Sequence, residues 1–537
     1  MMKRWALIGM VSMLVLVSLT AAICMQASSE ELVRPLESAF ILGDLGGLAV
    51  GVPREDIGAV GNAGGVNIIF SPPGGLSTTD SQWFDQDTGS IIGVAEAGNE
   101  FARALSVGDF NGDGYIDLVV GVPYEDVGTT LSAGGINVIY GSGAGFTEVG
   151  NQWFDQSTSG IYGVPQEGDV FGYALATGDL DNDGYDDIVV GVSGEDSLVE
   201  NSGGVTVLYG SSGGITTADS LWIDQDTPDV LGTAEAQDAF GKALAIGDLN
   251  DDGYDDLVIG VPGEDVGSTN GAGGVNVLFG SSGGLTTSGS QWFDQDTTGI
   301  LEAAETSDSF GRALAIGDLN DDGYEDLVVG VPYETVGSEA SAGGVNVLYG
   351  SAAGLTDTDN QWFDQSDGDV VGYAGEEDRF GNALTIGDIN GDDYDDLVVG
   401  VPGEYLYSGG INVLYSTAEG LSATGSQWFD QDTPGIAGVR ENSDGYGSVL
   451  ASGYLNGDRF ADLVVGVPGE DLGAEVDAGG VNVLYGSSGV LTTAGSQWFD
   501  QNTPGMIDSV EQDDDFGRYL AVWSASKRWL FLPLIMR

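Results

Sequence analysis

A unit of about 70 residues recurs seven times along this chain, and no other feature limits its fold so strongly. The opening aromatic stands at Phe101, Phe171, Phe240, Phe310, Phe380, Tyr446 and Phe516, at spacings of 70, 69, 70, 70, 66 and 70 residues. An apolar run of the form LVVGVP also occurs seven times, with its glycines at Gly51, Gly121, Gly191, Gly260, Gly330, Gly400 and Gly466. A GGVNVLYG element opens at Gly64, Gly134, Gly203, Gly273, Gly343, Gly409 and Gly479. A QWFDQ-like element closes each unit around Trp83, Trp153, Trp222, Trp292, Trp362, Trp428 and Trp498. Chance does not keep four elements in order over seven copies.

Each unit offers four strand candidates. In the unit opened by Phe240, Ala243 to Gly247 follows the Phe-Gly pair, and Leu257 to Val261 is a continuous apolar run suited to burial on both faces. Val275 to Phe279 is the third, with polar Asn276 breaking its apolar run, and the fourth surrounds Trp292 and Phe293. Gly, Asp, Ser and Thr clusters separate them, and helical periodicity is absent beyond the N-terminal segment. The pattern predicts an all-β, seven-bladed β-propeller of four-stranded blades over residues 40–523. The N-terminal unit lacks a full first strand, because Phe40 to Val52 compresses the usual pattern, whereas Phe516 to Trp523 supplies a first strand and stops. The C-terminal strand is expected to complete the N-terminal blade and remove the open edge.

Composition excludes several functions. Acids number 84 and bases 14, for a net charge of −70, and histidine is absent. No Ser-His-Asp, Cys-His or His-ligated zinc chemistry can be built without histidine. So acidic a field repels phosphate backbones, so no nucleic-acid partner is expected. Disorder does not suit a chain with 10 Trp, 20 Tyr and 19 Phe, and the 90 glycines show no three-residue period, which removes collagen. Lys3 and Arg4 precede an apolar run from Trp5 to Ile23, which reads as a secretory signal within residues 1–27, with an uncleaved membrane anchor as the alternative. Small residues at Ala21, Ala22 and Ala27 offer cleavage points. The sole cysteine, Cys24, lies in this segment, so the mature chain has no disulfide. Ala21 and Ile23 stand where acylation of that cysteine would want Leu and a small residue. Residues 524–537 form a short basic and apolar tail, too short to span a membrane. The expected location is outside the cell or on its surface.

Between the first and second strands of five units lies a nine-residue loop, D-x-[DN]-x-D-G-x-x-D. The copies are Asp109, Asn111, Asp113, Tyr115, Asp117; Asp179, Asp181, Asp183, Tyr185, Asp187; Asp248, Asn250, Asp252, Tyr254, Asp256; Asp318, Asn320, Asp322, Tyr324, Asp326; and Asp388, Asn390, Asp392, Tyr394, Asp396. Side chains at positions one, three and five converge, the glycine at six permits a sharp turn, the tyrosine at seven offers its backbone carbonyl, and the aspartate at nine closes the set. Hard oxygen donors in this number select Ca²⁺, so about five structural calcium sites are expected. Asp, Asn and Gly could merely make polar turns, but five copies with intact spacing favour metal. Asp393 replaces the glycine in the fifth loop. A sixth copy has Tyr454, Asn456, Asp458 and Asp462 with Arg459 at the glycine position, and there weak or no binding is expected. The N-terminal unit has lost its loop.

These units resemble the FG-GAP repeats of the integrin α-subunit propeller over about residues 40 to 523. The likeness rests on Phe240 and Gly241, on the acidic loop Asp248 to Asp256, and on Gly260, Val261 and Pro262. It implies Ca²⁺ in the loops of the lower face, ligand contacts by loops of the upper face, and extracellular adhesion or ligand binding. No inserted metal-dependent adhesion domain, leg domain or C-terminal transmembrane helix is evident, so a stand-alone monomeric propeller is expected and heterodimer signalling is not carried over.

The stretch after GVP, on the upper face, holds a glutamate in all seven units: Glu55, Glu125, Glu195, Glu264, Glu334, Glu404 and Glu470. Two residues before each opening aromatic stand Asn99, Asp169, Asp238, Asp308, Asp378, Asp444 and Asp514. Two acidic rings around the channel mouth would focus negative potential and draw a cationic ligand or further divalent ions. The alternative, favoured by their regularity, is that each carboxylate accepts hydrogen bonds from Gly-rich backbone and fixes loop geometry. The repeated Trp reads as outer-strand packing before sugar stacking. Tyr124 and Tyr333, where other units have glycine, are better ligand candidates.

GSSGG at Gly210 to Gly214 and Gly280 to Gly284 fits G-x-S-x-G but sits in a β-turn with no histidine to serve it. FG-GAP propellers accompany catalytic domains in some phospholipases, but the chain leaves no room for one. No enzymatic activity, catalytic residue or organic cofactor is expected. The expected function is adhesion or binding of an extracellular protein, matrix or glycan ligand. The alternatives are a lectin-like propeller and, less favoured, a carboxylate-dependent glycoside hydrolase or lyase.

Overall fold

The computed structural model describes residues 42–196 and 199–525. The signal segment, Cys24 and the tail from residue 526 onward lie outside the described residues. The described residues form seven four-stranded antiparallel sheets, the blades of a β-propeller. In the fourth blade the strands run Ala243–Gly247, Asp256–Val261, Gly274–Phe279 and Thr286–Phe293, from the axis outward. Among the described residues, helical structure is confined to Leu42–Asp44 and a short turn at Glu404–Tyr407. No helix among them is long and apolar enough to cross a membrane.

The uniform apolar character of the second strand follows from its position. Leu257, Ile259 and Val261 pack with Val189, Val205 and Val207 of the preceding blade, whereas Val258 packs with Leu327 and Val329 of the following one. Both faces of the strand are therefore inter-blade core, and each fully buried aliphatic side chain contributes about 1.5–3 kcal/mol. Phe240 is completely buried in the same layer. The glycine of LVVGVP marks the closest approach of two blades, since a Cβ on Gly260 would collide with the carbonyl oxygen of Gly311. The second blade departs from the Phe-Gly opening: Ala102 holds the left-handed conformation, at φ 70°.

A glutamine and an asparagine of the repeat bind blade to blade. Gln291 donates from Nε2 to the Leu355 carbonyl and accepts at Oε1 from the Leu355 N–H, at 3.0 and 2.9 Å. Asn137, the polar interruption in a buried strand, donates to the Ile92 carbonyl at 2.8 Å and so holds the loop that enters its blade. Asn346, Asn412 and Asn482 repeat that bond on Leu301, Val371 and Ala437. The tryptophan acts within its own blade. Trp292 packs on Gly274, where a Cβ would collide with the indole, and its Nε1 donates to Asp294 at 2.8 Å.

The first blade is completed as expected. Tyr519–Trp523 pairs with Gly46–Val52, which pairs with Gly65–Ser71 and then Ser77–Phe84. The Trp523 indole donates to the Leu45 carbonyl at 3.0 Å. The last and first blades are joined at their outer edges too, by Gln497 on the Leu76 carbonyl at 3.0 Å and Thr78 on the Pro504 carbonyl at 2.7 Å.

Candidate functional site

Each acidic loop leaves the axial strand at one end of the propeller and enters the second strand. Ala104–Gly108 leads into the first loop and Asp117–Val122 leaves it. Asp109 accepts the N–H groups of Asp113 and Gly114 at 3.1 and 2.8 Å, and Asp113 accepts that of Tyr115 at 2.9 Å. The Asp179, Asp248 and Asp318 loops repeat these bonds. In the fifth loop Asp393, at φ 75°, stands where the others have glycine, yet its N–H still reaches Asp388 at 3.2 Å. The position-seven side chain reaches the neighbouring loop: the Tyr185 ring lies against Gly112.

The ninth-position aspartate differs from the rest. Asp117, Asp187, Asp256, Asp326 and Asp396 are buried. Asp117 accepts from the Phe110 N–H at 3.0 Å and the Gly141 N–H at 2.7 Å, which ties the loop to the turn between the third and outer strands. Burial pushes Asp117, Asp187 and Asp396 up to about 8, and Asp256 and Asp326 up to about 7, against these backbone donors. Their charge is costly there unless a cation shares it.

Two observations bear on whether a cation fits. Asp179, Asp181 and Asp187 present oxygens that all lie within 4.8 Å of one another. Oxygens on opposite sides of a Ca²⁺, each at about 2.3–2.6 Å, are separated by such a distance. Asn250, at position three of its loop, has a buried Oδ1 with no hydrogen-bond partner. The donor set therefore fits a hard divalent cation. In the variant loop of the last blade, Asp462 keeps its bonds to the Leu455 and Gly486 N–H groups, at 2.8 and 3.1 Å, without a first-position carboxylate.

Sequence reasoning missed the acid at position eight. Asp186 accepts the Asp109 N–H of the preceding blade at 2.7 Å, Asp255 that of Asp179 at 2.9 Å, and Asp395 that of Asp318 at 3.2 Å. Each clamps one loop to the next. The signal was an adjacent acid pair closing four of the loops, and its partner is 76 or 77 residues away.

At the opposite end, the glutamates after GVP are inter-blade locks. Gln225 Nε2 donates to Glu264 at 2.6 Å, Gln295 to Glu334 at 2.7 Å, and Gln501 to Glu55 at 2.7 Å across the closure. The donor is the last residue of QWFDQ, a side-chain amide and not the Gly-rich backbone. In the sixth blade the bond is absent. Gln365 turns to Asn412 at 3.3 Å, and Glu404 sits in a turn whose Tyr405, Leu406 and Tyr407 have φ of 50°, 65° and 65°. The second acidic ring also serves geometry: Asp238 and Asp308 accept the N–H groups of Glu235 and Glu305, each at 2.6 Å. Tyr124 and Tyr333 stand beneath arginines, Arg103 at 5.1 Å and Arg312 at 5.5 Å from the ring centres. The two serines of the GSSGG turns, Ser211 and Ser281, donate to the Gly214 and Gly284 carbonyls, each at 2.6 Å.

A family model described as FG-GAP repeat matches residues 101–140, 171–208, 240–278, 310–348 and 380–415. Phosphatidylinositol-glycan-specific phospholipase D of Bos taurus is 36% identical over 203 residues, 35% of this chain and 22% of that protein. Integrin alpha pat-2 of Caenorhabditis briggsae is 32% identical over 281 residues, 50% of this chain and 21% of that protein. The chain thus spans about a fifth of the length of these curated relatives. A solved structure of a Lactobacillus plantarum protein superposes with a TM-score of 0.45 at 12% identity, over 89% of this chain and all of that one. The expectation that the chain has no enzymatic activity is corrected by these relatives, several of which are named as a phospholipase D. That expectation leaned on missing histidine, which excludes histidine-based chemistry alone.

Proposed function

We propose, from the premise that this chain is an FG-GAP repeat propeller related to integrin α subunits and to phosphatidylinositol-glycan-specific phospholipase D, that it is an exported, calcium-stabilised ligand-binding module. Calcium would be held by the five acidic loops, and an extracellular or cell-surface ligand by the loops of the opposite end. The observation that carries the calcium reading is the convergence of Asp179, Asp181 and Asp187 within 4.8 Å. The unpartnered Asn250 Oδ1 supports it. When bound, the ion would neutralise carboxylates that otherwise repel one another and would pin the axial hairpin. The chain's own part is to pre-form the loop through its aspartate–backbone bonds. The ligand reading is supported by exposed apolar side chains on the loops that follow QWFDQ, among them Ile92, Val94, Tyr162, Val164, Tyr373 and Val439. Adhesion to a protein or matrix ligand is the favoured use.

Thermal unfolding, scanned across Ca²⁺ and Mg²⁺ with EGTA as the zero, tests the metal. A site at 100 times its dissociation constant adds about 2.7 kcal/mol. A rise of many degrees at millimolar Ca²⁺ with little from Mg²⁺ is expected, and an unchanged midpoint would overturn the calcium reading.

The relatives' names carry a second, enzymatic reading, hydrolysis of a phosphatidylinositol-glycan. Incubation of the full chain with a phosphatidylinositol-glycan-anchored protein, followed by phase partition, tests it. Release of the protein into the aqueous phase would establish it, and retention would exclude it.

A further inference from the structure

One residue follows the Phe-Gly pair in each blade, at the start of the axial strand and at the end opposite the acidic loops. Tyr173, Lys242, Arg312, Asn382, Ser448 and Arg518 all occupy this position, and all six line a single cavity of about 600 Å³. A cavity touched by six blades at one register lies on the propeller axis. The second blade's residue, Arg103, does not line the cavity but backs it, 5.2 and 5.7 Å from the ring centres of Tyr173 and Tyr519, which do.

The charge of this cavity is opposite to that of the molecule. Of the eight basic residues among the described residues, five line it: Lys242, Arg312, Arg518, and also Arg54 and Arg379. Only two carboxylates line it, Asp477 and Asp515, leaving an excess of three positive charges in a chain of net −70. Asp515 is shared by Arg54 at 3.1 Å and Arg518 at 3.3 Å. Arg379 pairs with Glu377 at 2.7 Å. Among the described residues neither Lys242 nor Arg312 is in an ion pair. Aromatic rings support both: Lys242 Nζ stands 3.9 Å from the Tyr173 ring centre, and Arg312 lies over Tyr333. Burial pushes the Tyr173 phenol up, yet Lys242 and Arg103 together carry it below its ordinary value, as a positive local potential requires.

Size decides between kinds of anion. Charges beyond about 8 Å are largely screened at physiological salt, so a compact anion inside the cavity feels mainly the local cations. An extended polyanion would run out over an acidic surface and be repelled. The volume falls within the roughly 300–1,000 Å³ range of small-molecule sites. Guanidinium groups suit planar or tetrahedral oxyanions, which they can grip with two parallel N–H donors.

We propose that the axial mouth binds a compact oxyanion, a carboxylate, sulfate or phosphate group carried by a small molecule or displayed by a larger ligand, with Lys242 and Arg312 as its principal contacts. This names the ligand class of the upper face and rests on the ligand-binding reading above, but not on calcium.

Calorimetric titration of the full chain in millimolar CaCl₂ tests it, with sodium sulfate, sodium galacturonate and neutral galactose as probes. Saturable heat from at least one anion and none from galactose is expected. Sulfate binding marks a tetrahedral ligand and galacturonate binding a planar one. The double variant K242Q/R312Q should weaken anion binding at least tenfold, whereas R459Q, at the opposite end, should not change it. Arg312→Lys keeps the charge and removes the paired donors, so it should lose affinity without losing the fold, as checked by circular dichroism. No saturable heat from either anion, or undiminished binding by a folded double variant, would overturn the proposal. Titration repeated in EGTA separates the two readings. Anion binding by a chain whose midpoint ignores calcium would remove the calcium reading alone, and a calcium-dependent midpoint with no anion binding would remove this one alone.

Discussion

The two ends of the propeller differ in how they use the repeat. At the acidic end, five loops place the same residue types at the same positions, and their bonds repeat almost unchanged from Asp109 to Asp318. At the other end, the position after the Phe-Gly pair is Arg, Tyr, Lys, Arg, Asn, Ser or Arg, depending on the blade. Sameness around a ring suits a device that every blade needs in order to stand beside its neighbour. Variation around a ring makes the axis chemically asymmetric, which a ligand requires and a scaffold does not. The glutamates after GVP fall on the side of sameness, although they share an end with the varied mouth.

That contrast can be broken first at the loops, where the largest effects are expected. Asp256→Ala strips the acceptor from the buried Gly280 N–H, at 2.9 Å, and one of two acceptors from that of Leu249, at 3.2 Å, which keeps the Gly247 carbonyl. An orphaned buried donor costs about 1–3 kcal/mol, so urea unfolding should show a loss of roughly 1–3 kcal/mol in chelator and a larger one in calcium, where the loop also loses the carboxylate that closes its metal set. Asp252→Ala, at an exposed position, should cost up to about 2.7 kcal/mol in saturating calcium and little in EGTA. Equal losses for both variants in both buffers would dissolve the distinction between architectural and metal-holding carboxylates.

The glutamate locks allow a test by pH. Glu264 and Glu334 are pushed up to about 8 by burial first; the Asp308 charge adds to the rise at Glu334, and at Glu264 the bond from Gln225 opposes it without cancelling it. Their folded state holds a proton that the unfolded chain releases near 4.5. Their stabilisation is therefore complete below that value and is lost as pH rises towards 8. Unfolding free energy in urea should fall between pH 5 and pH 8, by at most about 1.4 kcal/mol per unit for each group. The variant E264Q/E334Q should flatten the slope while keeping an acceptor for each glutamine. An unchanged slope would show that these two groups do not titrate in that window.

Smaller effects sharpen the picture. Ala102→Gly relieves a left-handed alanine where six other blades have glycine, and should raise stability by about 1 kcal/mol in a melting experiment. Lys242→Gln should stay within about 0.5 kcal/mol of the parent in the same experiment, because no carboxylate is paired with it among the described residues. A large loss there would make the mouth a structural feature after all.

Much of this was legible before any coordinates. The count of blades, the doubly buried second strand and the closure by Tyr519–Trp523 followed from spacing and apolar pattern, because each is a property of the chain alone. The partners of polar residues were not legible. Asn137 was visible as an interruption, but its carbonyl partner lies 45 residues back, in another blade. The second glutamine of QWFDQ was visible, yet its glutamate stands 39 residues on. The cationic mouth was hidden for a related reason. Lys242, Arg312 and Arg518 are scattered singly through an acidic sequence and become neighbours only when the ring brings one register to the axis. Composition suggested a negative mouth, and geometry places positive side chains there.

The strand that completes the first blade is also the last part of the propeller to be made. Trp523 and Leu45, joined by one hydrogen bond, are 478 residues apart. At about 5–20 residues per second, synthesis separates them by roughly half a minute to a minute and a half. Throughout that interval Gly46–Val52, entirely buried in the finished molecule, has no axial partner. The order of synthesis therefore turns a joint that is satisfied in the finished molecule into a timing problem. A growing chain must be kept from pairing this open edge with the edge of another copy until its own final strand arrives.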